Sequence, residues 1–189
     1  HSHNANRGDE AAVKAMVDEL LIKYPGAKIT ISNNGFTPYP GMPENVIQID
    51  RFPKLESRIA QLEFFIVLLF KGKFALTKEA RKFIRALKEA DVVLHAPGGP
   101  SIGDTYFKAE KLYLWRLNLI RRMGIPYIFY APSMGPFNCA SRNKLRKEVI
   151  SGAERIVLRD PISVKYVKDF LPGVEVEQAL DSALQHDID

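Results

Sequence analysis

At 189 residues, 46% hydrophobic and 26% charged, the chain can bury one core, which argues against intrinsic disorder. Its longest apolar run, Phe64 to Phe70, is too short to span a bilayer as a helix. The net charge of +5 is a mild excess of 27 basic over 22 acidic residues, and the one cysteine, Cys139, excludes an internal disulfide and fits a reducing, cytoplasmic compartment.

The chain opens with Asn4, Asn6, Arg7, Gly8, Asp9 and Glu10, which read as a polar, glycine-containing loop running into a helix. A helix N-terminus presents unpaired N–H groups and partial positive charge to any anion or hydroxyl placed there. Ala12, Val13, Met16, Val17, Leu20 and Leu21 then recur at helical spacing until Pro25-Gly26 stops the element. Residues 27–32 alternate as a strand, residues 33–44 form a loop rich in Gly, Pro and Asn, and residues 46–49 make a second short strand. Residues 55–70 predict a strongly apolar helix, and Thr77 is placed to cap another that runs to Ala90.

Residues 91–95 predict a buried strand, followed by a Gly-rich loop at 96–104 and a helix to Met123 that Gly124 ends. Leu112, Trp115, Leu119 and Met123 share one face of that helix. Residues 126–130 supply the next strand, and residues 131–138 a third loop of the polar, glycine-containing kind. Ser141 is expected to cap a helix ending near Gly152, residues 155–158 form a strand, Asp160-Pro161 starts a helix, and residues 174–176 form the last strand.

This alternation predicts an α/β fold: a doubly wound, mostly parallel, Rossmann-like sheet with the three loops on one ligand-binding edge. The first loop has no strand before it, and residues 180–189 break off in polar residues after a strand. The chain is therefore expected to be a single Rossmann-like domain, residues 1–189, without its opening strand and without a second, C-terminal domain.

Five groups of residues carry a resemblance: Asn6-Arg7-Gly8-Asp9-Glu10-Ala11; Ala90-Asp91-Val92-Val93 leading into Gly98-Gly99-Pro100-Ser101-Ile102-Gly103-Asp104; Ser133-Met134-Gly135-Pro136-Phe137; Arg159-Asp160-Pro161-Ile162-Ser163; and Asp181-Ser182-Ala183. In this order and spacing the chain resembles the polysaccharide pyruvyl transferase family over nearly its whole length. Pro97 and Pro100 flank Gly98-Gly99 where the family often shows a longer glycine run. The resemblance implies the N-terminal half of a two-domain, GT-B-like enzyme that moves the enolpyruvyl unit of phosphoenolpyruvate onto two hydroxyls of one sugar. The product is a pyruvate ketal on a cell-surface or exopolysaccharide, the acceptor being a saccharide or lipid-linked glycan. No cofactor is implied beyond phosphoenolpyruvate as donor substrate, and this half alone is expected to be inactive.

A donor with a phosphate and a carboxylate calls for fixed positive charge, which places Arg159 first, at a strand end just before a helix; the alternative is an arginine paired structurally with Asp160 or a neighbouring carboxylate. Proton transfer to the enol carbon and from a sugar hydroxyl calls for a carboxylate or histidine, so Asp9, Asp104 and His95 are the catalytic candidates. Asp9 and Asp104 read equally as helix caps, and His95 as a structural histidine. Asn4, Asn6, Arg7, Gly8, Gly98, Gly99, Ser101, Ser133 and Gly135 are candidates for substrate binding, where close backbone approach or hydroxyl recognition competes with ordinary turn chemistry. Cys139 reads as a small loop residue before a nucleophile. No His or Cys spacing fits a metal, including His1 and His3.

A basic stretch, Lys71, Lys73, Lys78, Arg81, Lys82, Arg85 and Lys88, leaves peripheral association with a membrane surface open. It carries no nucleic-acid motif or interleaved aromatics, so nucleic acid is not expected. Two rival functions share the fold: a glycosyltransferase with a nucleotide-sugar donor, and a noncatalytic glycan-binding domain.

Overall fold

The computed structural model of the chain describes residues 7–32, 38–50, 52–53, 57–181 and 184. In chain order these form α1 (Arg7–Lys23), β1 (Thr30–Ser32), β2 (Ile47–Ile49), α2 (Arg58–Leu69), α3 (Lys78–Glu89), β3 (Val93–His95) and β4 (Gly98–Ile102). A 3₁₀ turn (Asp104–Tyr106) leads into α4 (Phe107–Met123), followed by β5 (Tyr127–Tyr130), β6 (Pro132–Met134), α5 (Ala140–Ser151), β7 (Arg155–Leu158), α6 (Pro161–Phe170) and β8 (Glu177–Gln178). Every pairing among the described strands is parallel: β3, β5, β7 and β8 lie side by side in that order, β1 pairs β2, and β4 pairs β6. The fold is thus α/β and Rossmann-like.

The central sheet is covered on both faces, which the strand period of two makes visible. Val93, Tyr127 and Phe129 pack into the larger core with Phe64, Phe83, Leu119 and Val149, whereas Leu94 and Tyr130 pack against the smaller cluster of Val13, Met16, Val17 and Val46 under α1. Because all strands run the same way, His95, Tyr130 and Leu158 end at one edge. His95 stands opposite Phe129, Tyr130 opposite Val157, and the Ala131 amide donates to the Val157 carbonyl.

Local chemistry explains the helix ends that the sequence places well. Thr77 accepts from the Ala80 amide at 3.2 Å and Asp160 from the Ser163 amide at 2.7 Å, while Gly124 closes α4 at φ +74°. Four expectations are corrected. The first helix begins at Arg7, so Arg7, Gly8, Asp9 and Glu10 form its opening turn instead of a loop, where the two acids favour the helix dipole. Residues 98–102 and 132–134, read as parts of two loops, pair with each other as strands. Cys139, not Ser141, is the residue preceding α5. The last strand lies at Glu177–Gln178, three residues beyond the expected one.

Candidate functional site

The second and third sequence motifs meet backbone to backbone. β4 and β6 pair Gly98 with Pro132 and Pro100 with Ser133, and the Gly135 amide donates to the Ile102 carbonyl, the Asp104 amide to the Pro136 carbonyl. The glycines at this crossing are required by space. A Cβ on Gly103 (φ +142°) would lie 2.5 Å from the Gly135 carbonyl oxygen, and one on Gly135 (φ +90°) would lie 2.7 Å from the Tyr166 ring. Packing therefore accounts for Gly135 without a ligand.

On one side of this crossing the first motif lies over the second. The Asp9 carboxylate stands 3.4 Å from where a Cβ of Gly98 would be, so a substituent there would touch it. Around it gather two tyrosines. Burial pushes the Tyr39 phenol up, and Tyr113, Asp9 and Glu10 add to the shift; the Tyr113 phenol is also raised by burial, with Arg116 opposing and Asp9 reinforcing. Both hydroxyls keep their protons at neutral pH and can donate hydrogen bonds. Tyr39 is held by a reciprocal pair with the Gln48 side chain on β2, 2.8 Å at its amide and 3.0 Å at its carbonyl.

His95, at the end of β3, lies 2.8 Å through Nε2 from Ser101 Oγ on β4 and packs edge-on against Tyr113 and Phe129. Burial, and after it the charge of Arg116, lower the imidazole to about 4. His95 is thus neutral at pH 7, able to accept a proton or hold a hydroxyl but not to deliver a proton as imidazolium. Since the folded value lies below the unfolded 6.5, its contribution to stability is complete above pH 6.5 and is lost as pH falls toward about 4. The total is roughly 3 kcal/mol. Imidazole NMR resonances of His95 are expected to stay flat from pH 8 to 5; a midpoint near 6.5 would contradict this environment.

On the other side, the third, fourth and fifth motifs close into one hydrogen-bonded group. Arg159, directly after β7, donates through Nε to Ser133 Oγ at 2.9 Å and through Nη1 to Asp181 Oδ2 at 2.5 Å. Ser133 Oγ donates to Asp160 Oδ2 at 2.8 Å, and Ser163 Oγ, which also donates to Asp160, accepts from the Met134 amide. Burial raises the Asp160 carboxyl, but the Ser163 amide, the Ser163 and Ser133 hydroxyls and the Arg159 charge outweigh it and hold it below its ordinary value. The guanidinium of Arg159 is paired with a neighbouring carboxylate, as one reading of the sequence expected, yet remains about a quarter exposed at the strand edge.

Asp104 stands apart from both groups. It caps no α4 turn. Its carboxylate accepts from the Asn138 and Cys139 amides and from Arg146 on α5, which is fully buried and also pairs with the buried Glu110 on α4 at 2.7 Å. Arg142 and the Gly103 amide complete the shell of Glu110. The same carboxylate accepts from the amide of the half-buried Cys139, whose Sγ lies 3.2 Å from Ser141 Oγ. Asp104 is therefore a clamp between α5 and the glycine crossing.

Arg7 and Gly8 lie in the first turn of α1 and Gly99 on β4, while Asn4 and Asn6 lie outside the described residues. Tyr39, Tyr113 and Arg116 escaped the sequence reading because they sit in a proline-rich loop and on an otherwise ordinary helix. Their only signal is a polar tip on a buried position. The family model described as polysaccharide pyruvyl transferase matches residues 6–189. A search of curated proteins finds no match.

Proposed function

The chain belongs to the polysaccharide pyruvyl transferase family, and on that premise we propose that it takes part in moving the enolpyruvyl group of phosphoenolpyruvate onto a saccharide or lipid-linked glycan. We read it as the N-terminal half of a GT-B-like enzyme acting in the cytoplasm. The observation that carries the reading is the gathering of motif residues at the carboxyl edge of a parallel sheet, where ligands of such folds bind. There Arg159, about a quarter exposed beside Ser133, offers positive charge to an anion, and Asp9, Tyr39, Tyr113 and His95 offer acceptors and donors to sugar hydroxyls.

In the proposed reaction one sugar hydroxyl adds to C2 of the donor while a proton goes to C3, and a second hydroxyl displaces phosphate from C2. Two C–O bonds form, the C–O bond to phosphate breaks, and the second hydroxyl proton leaves with the phosphate or a base. The carboxylate of Asp9 is suited to take a hydroxyl proton, and the neutral His95, whose protonated form burial and Arg116 disfavour, is suited to orient a hydroxyl. Delivery to C3 needs a protonated acid, and the Tyr39 and Tyr113 phenols, held neutral, are our candidates.

Arg159→Ala in the intact protein is expected to lower kcat/KM for transfer by at least about a hundredfold, as loss of a charge-assisted contact to the donor does, with Arg159→Lys recovering part of it. Wild-type rates in Arg159→Ala, with the fold intact by circular dichroism, would remove the role assigned to this residue.

A further inference from the structure

Helix α2 violates the rule that an outer helix turns polar residues to solvent. It buries Glu63, Phe64 and Val67 against the core, yet its opposite face carries Ile59, Leu62 and Leu69 with 78%, 63% and 66% of their surface exposed, together with Phe65. Arg58 is the only charged residue on that outer face. The turn that follows keeps Phe70 and Phe74 exposed, their rings edge-to-face at 4.9 Å.

Charge around this stripe is mostly basic. Residues 57–90 hold eight basic side chains against three acidic ones, and Glu63 is spent on the Leu76 and Thr77 amides and the Thr77 hydroxyl. Lys71, Lys73 and Lys88 converge on one open cleft of about 510 Å³ floored by Met123 and Ile125, next to the exposed rings of the turn. At 12 residues α2 is about 18 Å long, well short of the roughly 30 Å hydrocarbon layer. No helix among the described residues is long and apolar enough to cross a membrane.

We propose that the α2 face and the α2–α3 turn form a docking surface for an anionic lipid bilayer, with the apolar stripe entering the interface and the lysine cleft receiving lipid phosphates. An apolar face alone would fit a protein partner equally well. The three lysines of the cleft, without an ion pair among the described residues, favour an acidic, phosphate-bearing surface, since each basic residue near such a surface adds attraction and an apolar face adds burial. The inference stands independently of the transfer reaction, because lipid binding is read without donor or acceptor.

The test is co-sedimentation of the intact protein with phosphatidylglycerol-containing vesicles and with pure phosphatidylcholine vesicles, at low and high salt. Binding is expected only to the anionic vesicles, weakening with salt, abolished in Leu62→Asp/Leu69→Asp and reduced at least about tenfold in Lys71→Glu/Lys73→Glu. These positions are exposed, so both variants should keep the wild-type fold. Trp115, the single tryptophan, lies 4.9 Å edge-on from Phe65, and its emission should shift to the blue on binding. Absence of binding to anionic vesicles, or binding unchanged in both variants, overturns the proposal. So does lipid-free self-association that Leu62→Asp/Leu69→Asp removes, which would assign the face to a second copy of the chain.

Discussion

Glu110→Ala is expected to cost the fold about 3–5 kcal/mol, enough to consume much of the 5–15 kcal/mol that holds a domain of this size together. The reason is what it leaves behind. Arg146 is fully buried and donates to both carboxylate oxygens of Glu110, at 2.7 and 3.0 Å, with Asp104 as its other carboxylate partner among the described residues. Removing Glu110 takes from the buried Arg146 its bidentate partner, leaving it Asp104, and also takes the carboxylate from Arg142 and the acceptor from the Gly103 amide. Replacing Glu110 and Arg146 together by methionine should cost less, because the charges then left without these partners, Asp104 and Arg142, are partly exposed and not in the core. Denaturant midpoints by circular dichroism decide it: equal losses in the single and double variants would mean that the buried pair is not what holds α4 to α5.

The same cluster sets an acid limit. Burial raises the Asp104 carboxyl, but the hydrogen bonds from Arg146 and from the Asn138 and Cys139 amides, with the charge of Arg146, bring it below its ordinary 3.8. A folded value below the unfolded one adds stability that is complete above the unfolded value and is lost as pH falls through the folded one. Asp160 acts in the same direction, so both contributions disappear in strong acid and neither changes near neutrality.

Gly103→Ala is expected to destabilise by about 2–4 kcal/mol and to disturb the site as well. Its φ of +142° is unfavourable to a side chain, and the added Cβ would meet Gly135 backbone atoms at 2.5 to 2.7 Å, which no rotamer change can relieve. The crossing of Gly103 and Gly135 joins β4, which carries Ser101 beside His95, to β6, which carries Ser133 beside Arg159. Gly26→Ala, where nothing lies within 4 Å of the new Cβ, is the matching control and should be near neutral. A Gly103→Ala midpoint equal to that of Gly26→Ala would show that the crossing yields without cost.

What the sequence made legible was chemistry that acts within a few residues. Asp160-Pro161 and Thr77 start their helices as their side chains dictate, and Gly124 ends α4. The β4–β6 pairing was not legible, because residues 98–102 are glycine- and proline-rich and their hydrogen-bond partners lie some thirty residues away. β8 was misplaced since its two residues, Glu177 and Gln178, are exposed and carry no apolar alternation. Asp104 reads as a cap or an acid from its position after Gly103; its tie to Arg146, 42 residues away, is visible only in the fold. Arg159 and Ser133 were both visible at the edge of predicted elements, whereas Tyr39, Tyr113 and Arg116 become neighbours of Asp9 and His95 only through the fold.

The proposed activity is tested most directly by incubating the intact protein with phosphoenolpyruvate and a panel of galactoside and N-acetylmannosamine acceptors, following released phosphate and product mass together. Pyruvyl transfer predicts phosphate release matched by ketal formation on the sugar, and its loss in Arg159→Ala. Unmodified acceptors and no phosphate release, alongside turnover of a nucleotide sugar by the same preparation, would contradict it.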